Sequence, residues 1–213
     1  EGLADRLDIF VDQHAFSVDE ARSFLQQGLL MGYSLCVHAD QFTRGGAKLA
    51  AEFGARSADH LEQSTDEDFQ ALRRAGTAAV VLPGATLGLG MPFPEARAML
   101  DAGLCLAIAS DWNPGSAPMG QLLTQAALLG INQKLTMAET FAGLTFRAAA
   151  ALGLSDRGRL ANEQRADIAI FPWVNNLIHF YGAGDLVEIN QHANVLRVHS
   201  VFLTRPAVVR GLS

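Results

Sequence analysis

The sequence predicts an α/β fold built on a parallel sheet, and three observations carry that expectation. Apolar runs of strand length alternate with amphipathic stretches of about three helical turns. A glycine closes the successive helical stretches, at Gly32, Gly54, Gly76 and Gly103, and polar residues collect where the apolar runs end. Such a cycle gives either a closed (β/α) barrel or an open doubly wound sheet. No Gly-x-Gly-x-x-Gly or Walker-type loop follows a predicted strand, so nucleotide-binding open sheets are disfavoured and the barrel is preferred. Five of the eight strands of a (β/α)8 TIM barrel are visible. Residues 1–155 are therefore expected to form the C-terminal portion of such a barrel, with further strands upstream, and 156–213 part of a small β domain.

The elements follow in order. Leu7 to Asp12 reads as a strand, and Ser17-Val18-Asp19-Glu20 is a capping box opening a helix that runs to about Met31. Ser34 to His38 is the second strand, with a helix from Arg44 to Phe53 behind it. A less apolar third strand, Ala55 to His60, leads to a helix begun by Ser64-Thr65-Asp66-Glu67. The fourth strand is Thr77 to Pro83, and its helix is expected to start at Pro94, a favoured first-turn proline. The fifth, Leu104 to Ser110, has the apolar character of a strand buried on both faces and stops on Asp111, before the turn residues Asn113-Pro114-Gly115-Ser116. Beyond it lie a helix from Met119 to Leu129 and another from the box Thr136 to Glu139 as far as Ala151. Short strands are expected at Asp156 to Leu160 and Ala166 to Phe171, and a hairpin at Arg197 to Leu203 and Ala207 to Arg210. Asn175 to Asn194 has no clean period and reads as loop.

With 213 residues and 49% hydrophobic content, the chain can bury a full core without disulfides or structural metal. A net charge of −6 disfavours nucleic acid or an anionic membrane as partner and favours a small molecule. Cys36 and Cys105 sit in apolar runs and read as reduced, buried residues, which fits the cytoplasm. No leader-like segment opens the chain, and no apolar run reaches the roughly 18 residues of a membrane span.

Strand ends carry the chemistry. Asp12, His38 with Asp40 and Gln41, Asp59 with His60, and Asp111 all follow strands whose ends share one face of a barrel. Imidazoles and carboxylates on one rim suit zinc or iron(II), which lowers the pKa of bound water towards about 7. Each assignment has a plainer rival. His38 also fits a hydrogen-bonded rim histidine, Asp111 a helix cap, His60 a surface histidine, and Asp59 a solvated strand end. Gly115 and Ser116 fit loop shaping. His14, His179, His192 and His199 lie outside the repeated pattern and are read as structural.

Four motifs narrow the reading: Val37-His38-Ala39-Asp40-Gln41, Ser57-Ala58-Asp59-His60-Leu61-Glu62, Val81-Leu82-Pro83-Gly84-Ala85-Thr86, and Ala109-Ser110-Asp111-Trp112-Asn113-Pro114-Gly115-Ser116. In order and spacing they resemble the imidazolonepropionases of the amidohydrolase superfamily, over nearly the whole chain to Phe171. The resemblance implies an amidohydrolase-type barrel with a small β-sandwich domain, and a cytoplasmic homodimer. It also implies hydrolysis of 4-imidazolone-5-propanoate to N-formimidoyl-L-glutamate in histidine degradation, with one divalent ion, zinc or iron. It implies His38 and Asp111 as metal ligands, His60 as the group that orients or protonates at the attacked carbonyl, and Asp111 as the base for the metal-bound water. Gln41, Asn113, Gly115 and Ser116 are implied to contact substrate.

Three departures accompany it. No two histidines stand two apart, so the superfamily's His-x-His pair is absent and this chain alone is expected to bind metal weakly and be inactive. Gln41 replaces a glutamate and cannot act as a base. Glu163 stands where the family carries glycine, and Asp185 to Ala193 reads as extra sequence. The alternatives are another amidohydrolase acting on a cyclic amide or amidine, or a non-catalytic scaffold lacking the first metal strand.

Overall fold

A computed structural model describes residues 3–165 and 167. Five parallel strands lie side by side in sequence order: β1 (Arg6–Val11), β2 (Ser34–Ala39), β3 (Ser57–His60), β4 (Ala78–Val81) and β5 (Leu106–Ile108). Among the described residues the sheet is open, with β1 and β5 at its edges. The parallel cycle read from the sequence is present; a closed barrel and the β domain are not shown. No described helix is long and apolar enough to cross a membrane.

Alternation along the strands gives the sheet two different faces. One face carries Ile9, Val11, Leu35, Val37, Ala58, Ala79, Val81, Leu106 and Ile108, packed against Leu25, Leu49, Phe69, Leu72, Met99 and Leu129 of the helices. Fully burying one such leucine or phenylalanine contributes about 1.5–3 kcal/mol, so this layer holds the sheet together. The opposite face carries Asp8, Phe10, Cys36, His38, Asp59 and Val80, with Ala78 and Ala107 covered by Ala148 and Ala151.

Local signals explain most of the helices. In α1 (Val18–Leu30) the Ser17 amide donates to Glu20 at 2.9 Å and the Glu20 amide donates back to Ser17 Oγ. A Cβ on Gly46, in α2 (Gly46–Glu52), would lie 2.8 Å from the Ala39 Cα, so this helix meets β2 where only glycine fits. The box of α3 (Asp66–Ala75) is one residue later than predicted. The Thr65 amide donates to Asp68, while Ser64 turns inward to donate to Asp40 Oδ2 at 2.7 Å.

A short α4 (Pro83–Gly88) follows β4 directly, ahead of the helix expected from Pro94; Pro83 occupies the first turn, as proline's fixed φ allows. The next helices are α5 (Ala96–Asp101) and α6 (Leu122–Asn132). The helix expected to run on to Ala151 is two, α7 (Met137–Leu144) and α8 (Phe146–Ala151), because Thr145 leaves helical geometry at φ −125°, ψ −101°.

Residues 156–159 form bends where a strand was expected over 156–160, tied by Asp156, which accepts from Arg157 and Arg165. Glu163 adopts φ +64°, the left-handed region that glycine prefers. Both cysteines are free and only half-buried, on the face of the sheet that carries Asp8 and Ala107 and not in the main core. Phe171, the stretch Asn175 to Asn194 and the expected C-terminal hairpin lie outside the described residues.

Candidate metal centre

Ligand atoms of His38, His60 and Asp111 lie within 4.8 Å of one another at the ends of β2, β3 and β5. The imidazole rings of His38 and His60 stand 5.3 Å apart, and Phe10 borders both. Three residues separated by 73 positions in sequence thus meet on one rim, because parallel strands place all their C-terminal ends together.

Alternation alone accounts for His38 but not for His60. His38 stands opposite Asp59 in register, on the face that carries Asp8 and Phe10, whereas His60 stands opposite Ala39, whose side chain belongs to the helix-facing core. His60 reaches the site because its backbone turns out of the strand at φ +80°, followed by Leu61 at +70°. Asp40, Asp111 and Trp112 are also left-handed, at +53°, +62° and +39°. Three strand ends therefore break regular geometry around one spot, as strained functional sites commonly do.

The carboxylates divide by task. Asp12 takes the Phe42 amide on Oδ2 at 2.9 Å and the Thr43 hydroxyl on Oδ1 at 3.0 Å, so it holds the loop after β2. Asp40, fully buried, receives the amides of Gly45 and Ala47 and the Ser64 hydroxyl and caps α2. Asp111 receives the Ser116 hydroxyl at 3.1 Å, and Asn113 receives the Gly115 amide at 2.8 Å. Both hydrogen bonds shape the loop after β5. Gln41 is buried beside Asp40.

Sequence reasoning missed three residues here. Asp8 of β1 accepts from His38 Nδ1 at 2.9 Å. Glu62 has a side chain 1% exposed, with Oε2 3.9 Å from His60 Nδ1, and its Oε1 is bonded to Thr86 of α4 at 2.9 Å. A carboxylate inside the apolar run of β1, and one two residues beyond His60, were the available signals for Asp8 and Glu62. Nothing in the sequence paired Thr86 with Glu62.

Electrostatics set the imidazoles apart. The Asp8 hydrogen bond raises the His38 pKa above its ordinary value, whereas burial lowers His60 to about 4, leaving it neutral near pH 7. Burial also pushes the Asp59 carboxyl up to about 6 and that of Glu62 up to about 7. Buried atoms without a partner among the described residues, Asp59 Oδ1, His60 Nδ1 and Glu62 Oε2, border the site.

An imidazole and a carboxylate, as His38 and Asp111 offer them, are donors that zinc and iron(II) accept, and a pair of metal–ligand bonds of about 2 Å spans most of the 4.8 Å spread. The residues fit a divalent ion.

Comparison with known proteins agrees in kind. The profile of the Amidohydrolase family matches residues 34–195. The chain belongs to the amidohydrolase family. As an amidohydrolase it is 45% identical to the imidazolonepropionase of Deinococcus radiodurans over 171 residues, 80% of this chain and 43% of that protein. To the imidazolonepropionase of Bacillus velezensis it is 35% identical over 214 residues, 99% of this chain and 50% of the relative. This amidohydrolase chain thus spans about half the length of the curated relatives it matches. Among solved structures it resembles atrazine chlorohydrolase from Arthrobacter aurescens complexed with zinc, with a TM-score of 0.63 and 18% identity over 75% of this chain and 40% of that one. At that identity the likeness concerns the fold.

Proposed function

We propose that the protein carrying this chain opens the ring of 4-imidazolone-5-propanoate by hydrolysis, giving N-formimidoyl-L-glutamate in histidine degradation. One divalent ion, zinc or iron, is held in part by His38 and Asp111. His60 and Asp111 act as catalytic groups, and Gln41, Asn113, Gly115 and Ser116 line the substrate side. The observation that carries the reading is the meeting of His38, His60 and Asp111 within 4.8 Å, and similarity to imidazolonepropionases supports the choice of ring. The zinc in the atrazine chlorohydrolase structure supports a divalent ion here. The same reading takes residues 1–155 as part of a TIM barrel, 156–213 as part of a β-sandwich, and the protein as a cytoplasmic homodimer.

A divalent ion in this position supplies positive charge that polarises a carbonyl and acidifies water. The remaining tasks fall to side chains. Ser116 donates to Asp111 Oδ2, which orients the carboxylate so that Oδ1 takes a proton from the attacking water. His60 is neutral near pH 7 and donates a hydrogen bond to the carbonyl oxygen as negative charge develops there. As water oxygen bonds to the carbonyl carbon and the ring carbon–nitrogen bond breaks, the proton held by Asp111 passes to the departing nitrogen. Gln41 has an amide, so it binds and does not take the proton.

The test uses the full-length protein, stripped with a chelator and reloaded with zinc or iron(II), with loss of imidazolone absorbance as readout. Metal-dependent ring opening is expected, together with reduced metal content in His38→Ala. Asp111→Asn is expected to abolish turnover with little change in the urea midpoint. Turnover retained in Asp111→Asn, or no reaction in the metal-loaded wild type, refutes the proposal.

A further inference from the structure

We propose that Asp8 is a positioning residue for His38: it accepts the hydrogen on Nδ1 and so fixes the ring with Nε2 as the nitrogen offered to the metal position beside His60 and Asp111. The proposal rests on the metal-site reading above and adds to it a residue that sets one ligand's tautomer and orientation.

The geometry begins with strand register. Asp8 stands opposite Cys36, and His38 stands opposite Phe10, so Asp8 and His38 are diagonal neighbours on the same face of adjacent strands. Their contact is 2.9 Å between Asp8 Oδ1 and His38 Nδ1.

A carboxylate has no hydrogen to give, so the hydrogen of this bond sits on Nδ1. In the neutral ring Nε2 then has its lone pair exposed, which is the form that binds a metal. Phe10 lies edge-on to the same ring at 6.0 Å between centroids and restricts its rotation. The second imidazole of the cluster provides the contrast. Among the described residues His60 Nδ1 is buried without a hydrogen-bond partner, with a carboxylate oxygen of Glu62 3.9 Å away. Of the two rings, only His38 has a carboxylate at hydrogen-bond distance among the described residues.

Asp8 is also suited to substitution. Among the described residues its side chain is 47% exposed and holds no loop, so its loss is not expected to unfold the protein. Partners that hold a ligand histidine typically change metal affinity about 10–100-fold when removed.

The experiment labels the histidines of the full-length protein with 15N and reads two-bond proton–nitrogen correlations at pH 8, the His38 signals being assigned by their loss in His38→Gln. Wild type is expected to show His38 with hydrogen on Nδ1 and a bare Nε2. Asp8→Asn keeps a carbonyl acceptor and is expected to preserve that pattern, whereas Asp8→Ala is expected to shift it towards the Nε2-protonated form. Zinc titration is expected to weaken about 10–100-fold in Asp8→Ala and less in Asp8→Asn. Hydrogen on Nε2 in wild type, or an unchanged His38 pattern in Asp8→Ala, overturns the proposal. If the tautomers behave as expected but zinc leaves the His38 signals of every variant unmoved, the role of Asp8 stands and the metal reading fails.

Discussion

Replacing Glu62 with glutamine is expected to stabilise the metal-free protein at alkaline pH and to change little at acid pH. Glu62 is buried, with Thr86 bonded to one oxygen and, among the described residues, no partner on the other, and its pKa is pushed from 4.5 up to about 7. At about 1.4 kcal/mol per tenfold, that change makes ionised Glu62 about 3 kcal/mol less favourable in the folded chain than in the unfolded one. The sign follows from the raised folded pKa. The unstrained, protonated contribution is fully present below 4.5, falls as pH rises towards 7, and is lost above it. Glutamine keeps an oxygen for Thr86 and cannot ionise. Urea unfolding of chelator-treated wild type and Glu62→Gln at pH 5 and pH 8 measures the difference. The variant is expected to gain about 2–3 kcal/mol relative to wild type between those pH values. Stability curves that stay parallel from pH 5 to pH 8 would refute the argument, because they would mean that Glu62 ionises in the fold as readily as in the unfolded chain.

Two further substitutions probe how the site is carried. Gly46→Ala drives a methyl to 2.8 Å from the Ala39 Cα, a backbone atom that cannot step aside, and is expected to cost about 1–3 kcal/mol in thermal unfolding. Glu139 caps α7 through the Thr136 amide at 2.8 Å and grips Arg97 of α5 through two hydrogen bonds of 2.9 Å. The Arg97 bond leads in holding its pKa down at about 2, so this stabilisation is present above 4.5 and is lost as pH falls towards 2. Glu139→Ala is expected to cost about 1–2 kcal/mol by urea unfolding at pH 7, and less than that at pH 3.

The parallel cycle was legible because its signals are local and repeated. A buried parallel strand needs only a short apolar run, and helix ends declare themselves in the box of Ser17 and Glu20 or in Gly76 at φ +71°. Failures came where two local signals compete. Ser64 and Thr65 both offer a cap to α3, and what decides between them is the buried Asp40, which claims the Ser64 hydroxyl from another loop. The single helix expected through Ala151 satisfied every local rule. It breaks at Thr145 because α7 packs against Ile108 on one side of β5 while α8 covers Ala107 on the other, and no straight rod reaches both.

The candidate site was legible for a different reason, and only in part. Polar residues at strand ends converge whatever their neighbours do, so His38 and Asp111 follow from topology alone. What a side chain touches after it arrives depends on which face it leaves from, and strand alternation answers that only while the strand lasts. By alternation His60 belongs with the core beside Ala39; left-handed backbone at His60 and Leu61 sends it to the rim instead. Asp8 obeys alternation fully, yet it sits mid-strand, where a search of strand ends does not look. Residues that contact the cluster from within a strand, as Asp8 does, are therefore less visible in the sequence than the cluster itself. Strand parity across neighbouring strands, not position at a strand end, is the signal that links Asp8 to His38.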